Sequence, residues 1–215
     1  MELLEKKGIN SYITGIYLEP FRLFSSGLRD EICIDFTPLG FYHFFRFPVG
    51  TFMLNDDILS EAFGDCAMDF FENIFKELNS EKRGLKIELF LKTKLFDFSH
   101  HEVSEALSVI HKSGGSIRFE KLTKECRCSE KKLYRLFKSY FNISPKQYIR
   151  VVRFRKALMQ LNNNGSTKLS SLAYDLGFTD QCHFIKEMKY FTGTTPKKAQ
   201  NIIHSIQDTV WMSIH

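Results

Sequence analysis

No uninterrupted apolar run in the 215 residues approaches the roughly 18 that a membrane span needs, and no secretory leader opens the sequence. The expectation is therefore a cytoplasmic chain with no membrane partner. Cysteine is scarce and odd in number, five in all, which argues against a disulfide framework and for a reducing compartment. Cys126 and Cys128 form a C-x-C pair. No second pair or close histidines complete a zinc set, so both read as small, half-buried residues around a turn, and no metal is expected. Catalytic arrangements are missing as well. His100, His101 and His183 are accompanied by no Ser/His/Asp order, metal spacing or glycine-rich phosphate loop, which excludes the familiar enzyme classes and implies no cofactor. Cys33 and Cys66 have no basic neighbour or cysteine cluster along the chain to lower their pKa.

What is present is ordinary globular material, 43% hydrophobic and 26% charged, with length for two domains. The formal net charge of +5 conceals an asymmetry. Residues 1–100 carry 11 Lys/Arg against 16 Asp/Glu, and residues 101–200 carry 19 against 8. An acidic half joined to a basic half, net +11, predicts that the second half meets a polyanion.

That basic half contains one pattern written twice. A shift of 51 positions places Ser129 on Asp180, Leu133 on Phe184, Phe137 on Met188, Tyr140 on Phe191, and Ser144-Pro145 on Thr195-Pro196. Each copy reads as a helix cap, apolar positions at near-helical spacing, a short stop, and a new helix opened by Ser/Thr-Pro. Short apolar pairs, Leu122-Thr123 and Leu172-Ala173, precede the caps by seven and eight residues. Two tandem helix-turn-helix units follow from this arrangement. The expected helices are 101–112, 119–126, 130–140, 145 to about 161, 169–176, 180–191, and one opening at Pro196. Asn162-Asn163-Asn164-Gly165 stops the long basic helix that begins at Pro145 and joins the units.

The front half carries strand-like text at Tyr12–Tyr17 and Glu31–Phe36, followed by five aromatics in the seven residues Phe41–Phe47. Such a cluster forms either a core under a small sheet or the lining of a ligand pocket built from Phe41, Tyr42, Phe44 and Phe45. Two amphipathic helices follow. Residues 65–79 place Met68, Phe71, Phe75 and Leu78 on one stripe, and residues 85–96 place Leu85, Leu89, Lys92 and Phe96 on another. Asp97–His100 reads as the hinge. The fold expected is α+β overall: a small α/β front domain, then an all-α tandem helix-turn-helix domain.

Residues 101–199 resemble the DNA-binding domain of the AraC/XylS family of bacterial transcription regulators. Leu172-Ala173-Tyr174-Asp175-Leu176-Gly177-Phe178, Asp180–Phe184 and Phe191-Thr192-Gly193-Thr194-Thr195-Pro196 carry the likeness. Ser129, Leu133, Arg135, Phe137 and Ser144-Pro145 support it in the first unit, and Arg153 with Ala157 in the linker helix. Arg127 and Asn142 stand where that family often has glycine, Met188 where it has Phe, and Ala199-Gln200 where it has Tyr-Arg. The front half is similar, through Phe36-Thr37-Pro38-Leu39-Gly40-Phe41-Tyr42, to a sensor-like domain attached to some members. More β-structure normally precedes that point, so the chain reads either as a shortened member or as a fragment.

The resemblance implies three segments: 1–97 sensor-like, 98–204 DNA-binding, and a tail 205–215. It implies a non-enzymatic, sequence-specific regulator whose two units enter successive major grooves of double-stranded DNA. RNA polymerase, a small-molecule effector and a homodimer are the further partners it implies. Lys131, Tyr134 and Arg135 of the first unit are expected to read bases, as are Gln181, Cys182, Ile185 and Lys186 of the second. Lys132, Lys138, Arg150 and Lys189 are expected on phosphates. The rival within the same resemblance is a DNA-repair methyl acceptor fused to this type of domain.

Overall fold

The computed structural model describes residues 9, 11–13, 15–16, 18–20, 30–46, 53–54, 58–163 and 168–205. Thr14, Tyr17 and Phe47 of the strand-like and aromatic stretches, Asn164 and Gly165 of the helix stop, and residues 206–215 of the tail lie outside them. The chain divides into two compact units at Ser99/His100, with residues 18–20 grouping with the second.

The first unit contradicts the α/β expectation. Its strand content among the described residues is one two-residue antiparallel pairing, β1 (Tyr12–Ile13) with β2 (Met53–Leu54). Residues 31–36 form no ladder, and Gly40–His43 is a 3-10 turn. A pairing this short presents no face on which a core can rest. The aromatics instead pack on one another and on helices. Phe41 stacks on Phe45 with centroids 4.3 Å apart, and Phe36 meets Phe41, Phe44 and Phe45 within 5.2–5.9 Å. Among the described residues three helices close the unit: α1 (Ile58–Phe63), α2 (Cys66–Lys76) and α3 (Ser80–Lys94).

Both amphipathic stripes are rotated from their expected positions. Helix α2 buries Ala67, Phe71 and Ile74, whereas Leu78 falls beyond its end and is 95% exposed. Helix α3 buries Ile87 and lays Phe90 flat on Phe70, centroids 4.1 Å apart, leaving Leu85 and Leu89 exposed. Asn79 starts this helix: its side chain accepts a hydrogen bond from the Lys82 amide at 2.9 Å, as an N-cap does.

The second unit is all helix among its described residues beyond Ser99, and its elements form where the repeat expects them. They are α4 (His101–Lys112), α5 (Phe119–Glu125), α6 (Glu130–Phe141), α7 (Pro145–Asn163), α8 (Leu169–Asp175), α9 (Gln181–Thr192) and α10 (Pro196–Ser205). Val103, Leu107, Ile110, Leu122, Leu133 and Phe137 are among the buried residues of its first half. The second half has its own cluster, including Leu172, Leu176, Phe178, Phe184, Met188 and Ala199, to which α7 adds Ala157, Leu158 and Leu161. Phe137 and Phe141 pack on Tyr148 of α7 at 5.4 and 5.3 Å, so α7 serves both halves.

The non-glycine stops adopt the backbone that glycine would. Arg127 has φ 47° and Asn142 φ 55°, against 72° at Gly177 and 71° at Gly193, the corresponding turns of the second half. A left-handed residue with a Cβ costs roughly 1–2 kcal/mol, while glycine costs about 0.5–1 kcal/mol in chain entropy. We therefore expect Arg127→Gly to stabilise the second unit by about 0.5–1 kcal/mol, read as a higher urea midpoint. Gly115→Ala should do the reverse. A Cβ there would meet the Arg153 amide nitrogen at 2.5 Å and the Ile149 carbonyl oxygen at 2.6 Å, both backbone atoms of α7.

His111 supplies a pH dependence. Its Nε2 lies 3.1 Å from the hydroxyl of buried Tyr148. Desolvation, then the Arg155 charge, holds the ring below its ordinary pKa of 6.5. The unfolded chain takes up this proton first, so the stabilisation is complete above pH 6.5 and is lost as pH falls through the lowered folded value. Urea midpoints between pH 7.5 and 5.5 should fall on the acid side, and His111→Gln should flatten that fall.

Candidate nucleic-acid interface

Helices α6 and α9 are built alike from end to end. Ser129 Oγ accepts from the Lys132 amide at 3.3 Å, and Asp180 Oδ1 from the His183 amide at 2.7 Å. Such caps contribute about 1 kcal/mol each. At the far ends the left-handed residues Asn142 and Gly193 donate their amides to the carbonyls of Lys138 and Lys189. All four residue pairs, Ser129/Asp180, Lys132/His183, Asn142/Gly193 and Lys138/Lys189, keep the 51-residue shift. The inward faces are Leu133, Phe137 and Phe141 on α6, and Phe184, Met188 and Phe191 on α9. The third apolar residue of the first copy is thus Phe141, with Tyr140 half-buried beside it. The inner turns differ by one residue, since three steps separate Cys126 from cap Ser129 and four separate Leu176 from cap Asp180.

With those faces committed, the outward positions follow from helical geometry. On α6, Lys131, Tyr134, Arg135 and Lys138 are exposed, spaced so that they share one side of the helix. On α9, Gln181, Cys182, Lys186 and Lys189 are exposed, whereas Ile185 packs partly against the second core cluster. These exposed side chains are basic, polar or sulfur-bearing, and none of them is a carboxylate.

Two of the expected phosphate residues pair with carboxylates of the protein itself. Lys132 forms an ion pair with Glu102 at the start of α4. Arg150 makes a two-pronged pair with Glu187, Nε to Oε2 at 2.9 Å and Nη2 to Oε1 at 2.8 Å. The Arg150 guanidinium also lies over the Tyr190 ring at 4.6 Å. Glu187 was not singled out from the sequence, although a signal was there: it is the one acid in α9. His183 is half-buried, with its ring edge on Phe178 and its Nδ1 accepting from the Thr179 amide at 3.4 Å.

Outside this surface, the rings of Phe41, Tyr42 and Phe45 are buried in the first unit, with Phe44 half-buried among them. Cys126 and Cys128 are buried in the α5–α6 turn, where desolvation and then the Glu105 carboxylate push the Cys126 thiol up to about 11. Burial, reinforced by Asp35 and Glu31, also raises Cys33. Cys66 does have a basic neighbour, supplied by the fold: Lys94 Nζ lies 3.8 Å from its sulfur. No helix of the described residues is long and apolar enough to cross a membrane.

Residues 122–202 match the family of helix-turn-helix domains. Over 104 residues the chain is 29% identical to the Msm operon regulatory protein of Streptococcus mutans, a match that takes in 48% of this chain and 37% of that protein. The chain therefore spans well under two thirds of that relative's length. Among solved structures it is similar to a transcriptional regulator with an AraC-type DNA-binding domain from Chromobacterium violaceum. That likeness is 20% identical, covers 51% of this chain and 95% of that one, and has a TM-score of 0.44. The C-terminal domain of AraT, a response regulator from Geobacillus stearothermophilus, is also 20% identical, over 53% and 91% of the two chains, with a TM-score of 0.44.

Thiol labelling checks the geometry of this surface. At pH 8 Cys182 should alkylate rapidly in the folded protein. Cys126 and Cys128 should react only when denaturant opens the second unit, as peptide mass spectrometry of timed samples would show.

Proposed function

We infer that the chain is a DNA-binding transcription regulator of the AraC/XylS type, with α6 and α9 entering successive major grooves. The observation that carries this is the pair of helices matched in both caps at one shift, each exposing a polar arc in a region of net charge +11. Lys131, Tyr134 and Arg135 read bases from α6, and Gln181, Cys182 and Lys186 from α9. Lys138 and Lys189 contact phosphates. Ile185, held partly in the core, has little reach of its own. Residues 98–204 act as the DNA-binding segment and 1–97 as a regulatory one, working in the cytoplasm through an effector or self-association and, at the promoter, with RNA polymerase. No catalytic step belongs to this reading. A methyl acceptor would need a thiolate held in a dedicated site. Cys33 is held protonated, and Cys66 lies exposed beside a single lysine.

The two helices differ in what they offer. Arg135 has a fork that bridges O6 and N7 of guanine, worth about 1–3 kcal/mol of discrimination. Lys186 is a point charge without that geometry. Duplexes selected from a random library by the full chain, then measured across salt concentrations, test the reading. Arg135→Ala should erase preference at one or two base pairs. Lys186→Ala should weaken binding evenly and make the salt dependence shallower. Failure of the folded protein to select any sequence, or to bind a long duplex in a salt-dependent way, would overturn the assignment.

A further inference from the structure

The second unit contains two arginines whose charge is directed at the joint between its halves rather than at its surface. Arg150 on α7 meets Glu187 on α9 with both prongs of its fork, a geometry that fixes orientation as well as distance. Their side chains are only 34% and 16% exposed, and the guanidinium is sandwiched over Tyr190 and Phe191 at 4.6 and 5.6 Å. One turn further along α7, Arg153 reaches both halves. Its Nε donates to the Gly115 carbonyl at 2.8 Å, in the turn before α5, and its Nη1 to the Gly177 carbonyl at 3.4 Å, in the turn before α9. Its charge lies 5.3 Å from the Phe178 ring. The joint itself is tight, for a Cβ on Gly177 would come within 3.0 Å of Ser116 Cβ.

A continuous helix fixes the distance between two attached units but leaves each free to roll on its own packing surface. A two-pronged ion pair from the shared helix to the recognition helix removes that roll for α9. The first half has no such pair at the corresponding place, because the 51-residue shift puts Leu136 opposite Glu187. We propose that Arg150, Glu187 and Arg153 are positioning residues that hold α6 and α9 in one relative orientation, so that the protein selects DNA sites by the spacing between their two contacted segments as well as by base sequence. This rests on the DNA-binding reading above. One added base pair displaces a segment by about 3.4 Å and turns it by about 35° relative to the other, which a locked pair of helices cannot follow.

The test uses the full chain and the tightest duplex it selects from a random library, remade with one base pair added or removed between the two protected segments. Wild type should lose at least about tenfold in affinity on either change, which is about 1.4 kcal/mol. Glu187→Gln, which keeps size and removes charge, should cut that penalty to about threefold or less while base preferences within each segment stay the same. Arg150→Lys, which keeps the charge but not the fork, should behave like Glu187→Gln. Glu187→Ala serves as a second variant, with thermal melts verifying that each is folded. The proposal is overturned if Glu187→Gln retains the full spacing penalty. It is equally overturned if Glu187→Gln binds more tightly with that penalty intact, which would make Arg150 a phosphate ligand freed from its partner. Protection of a single segment by wild type would also sink it while leaving DNA binding standing. Failure to select any duplex would instead sink the functional reading.

Discussion

Helix α7 contributes buried side chains to both halves of the second unit. Tyr148, Ile149 and Val151 are buried at one end, and Ala157, Leu158 and Leu161 at the other. Neither half of the second unit is closed without it, since each short helix pair exposes an apolar face that the pair alone leaves in water. The ring of Phe154 stacked on Phe191 at 4.6 Å, midway along α7, extends the second core toward the joint. Placement of both α6 and α9 descends from this one element, through packing rather than through the loops between them.

The charges divide between structure and solvent by a simple rule of supply. Helix α9, which buries Phe184, Met188 and Phe191, has one flank left toward α7, and Glu187 occupies it. A carboxylate there is desolvated, so a cation must meet it, and Arg150 lies within reach. Lys132 pairs with Glu102 at the surface, where both side chains stay in water. None of the ion pairs among the described residues involves Lys131, Arg135, Lys138, Lys186 or Lys189.

The first unit is organised by ring-on-ring contact. Phe63 meets Phe44, Phe45 and Phe90 at 5.7–6.1 Å, and Phe90 stacks on Phe70. Aromatic side chains bury large areas and pack edge to face without a flat sheet beneath them. That explains how helices and a two-residue pairing stand where strands were expected.

Local signals carried the second unit. Caps at Ser129 and Asp180, apolar spacing, the stops at Asn142 and Gly193, and proline after Ser144 and Thr195 each act within a few residues, so the sequence alone determined the helices, their order and the duplication. The outward residues of α6 and α9 were legible for the same reason, being what remains once the inward face is set. The first unit was not legible. Its β-branched and aromatic text satisfies a strand and an aromatic core equally, and which face of α2 or α3 turns inward depends on partners remote in sequence, such as Phe63 and Phe90. Tertiary structure alone decided that Arg150 and Arg153 serve the joint. A lone arginine reads the same whether it faces phosphate or Glu187, and only folding brings positions 150 and 187 within hydrogen-bond distance.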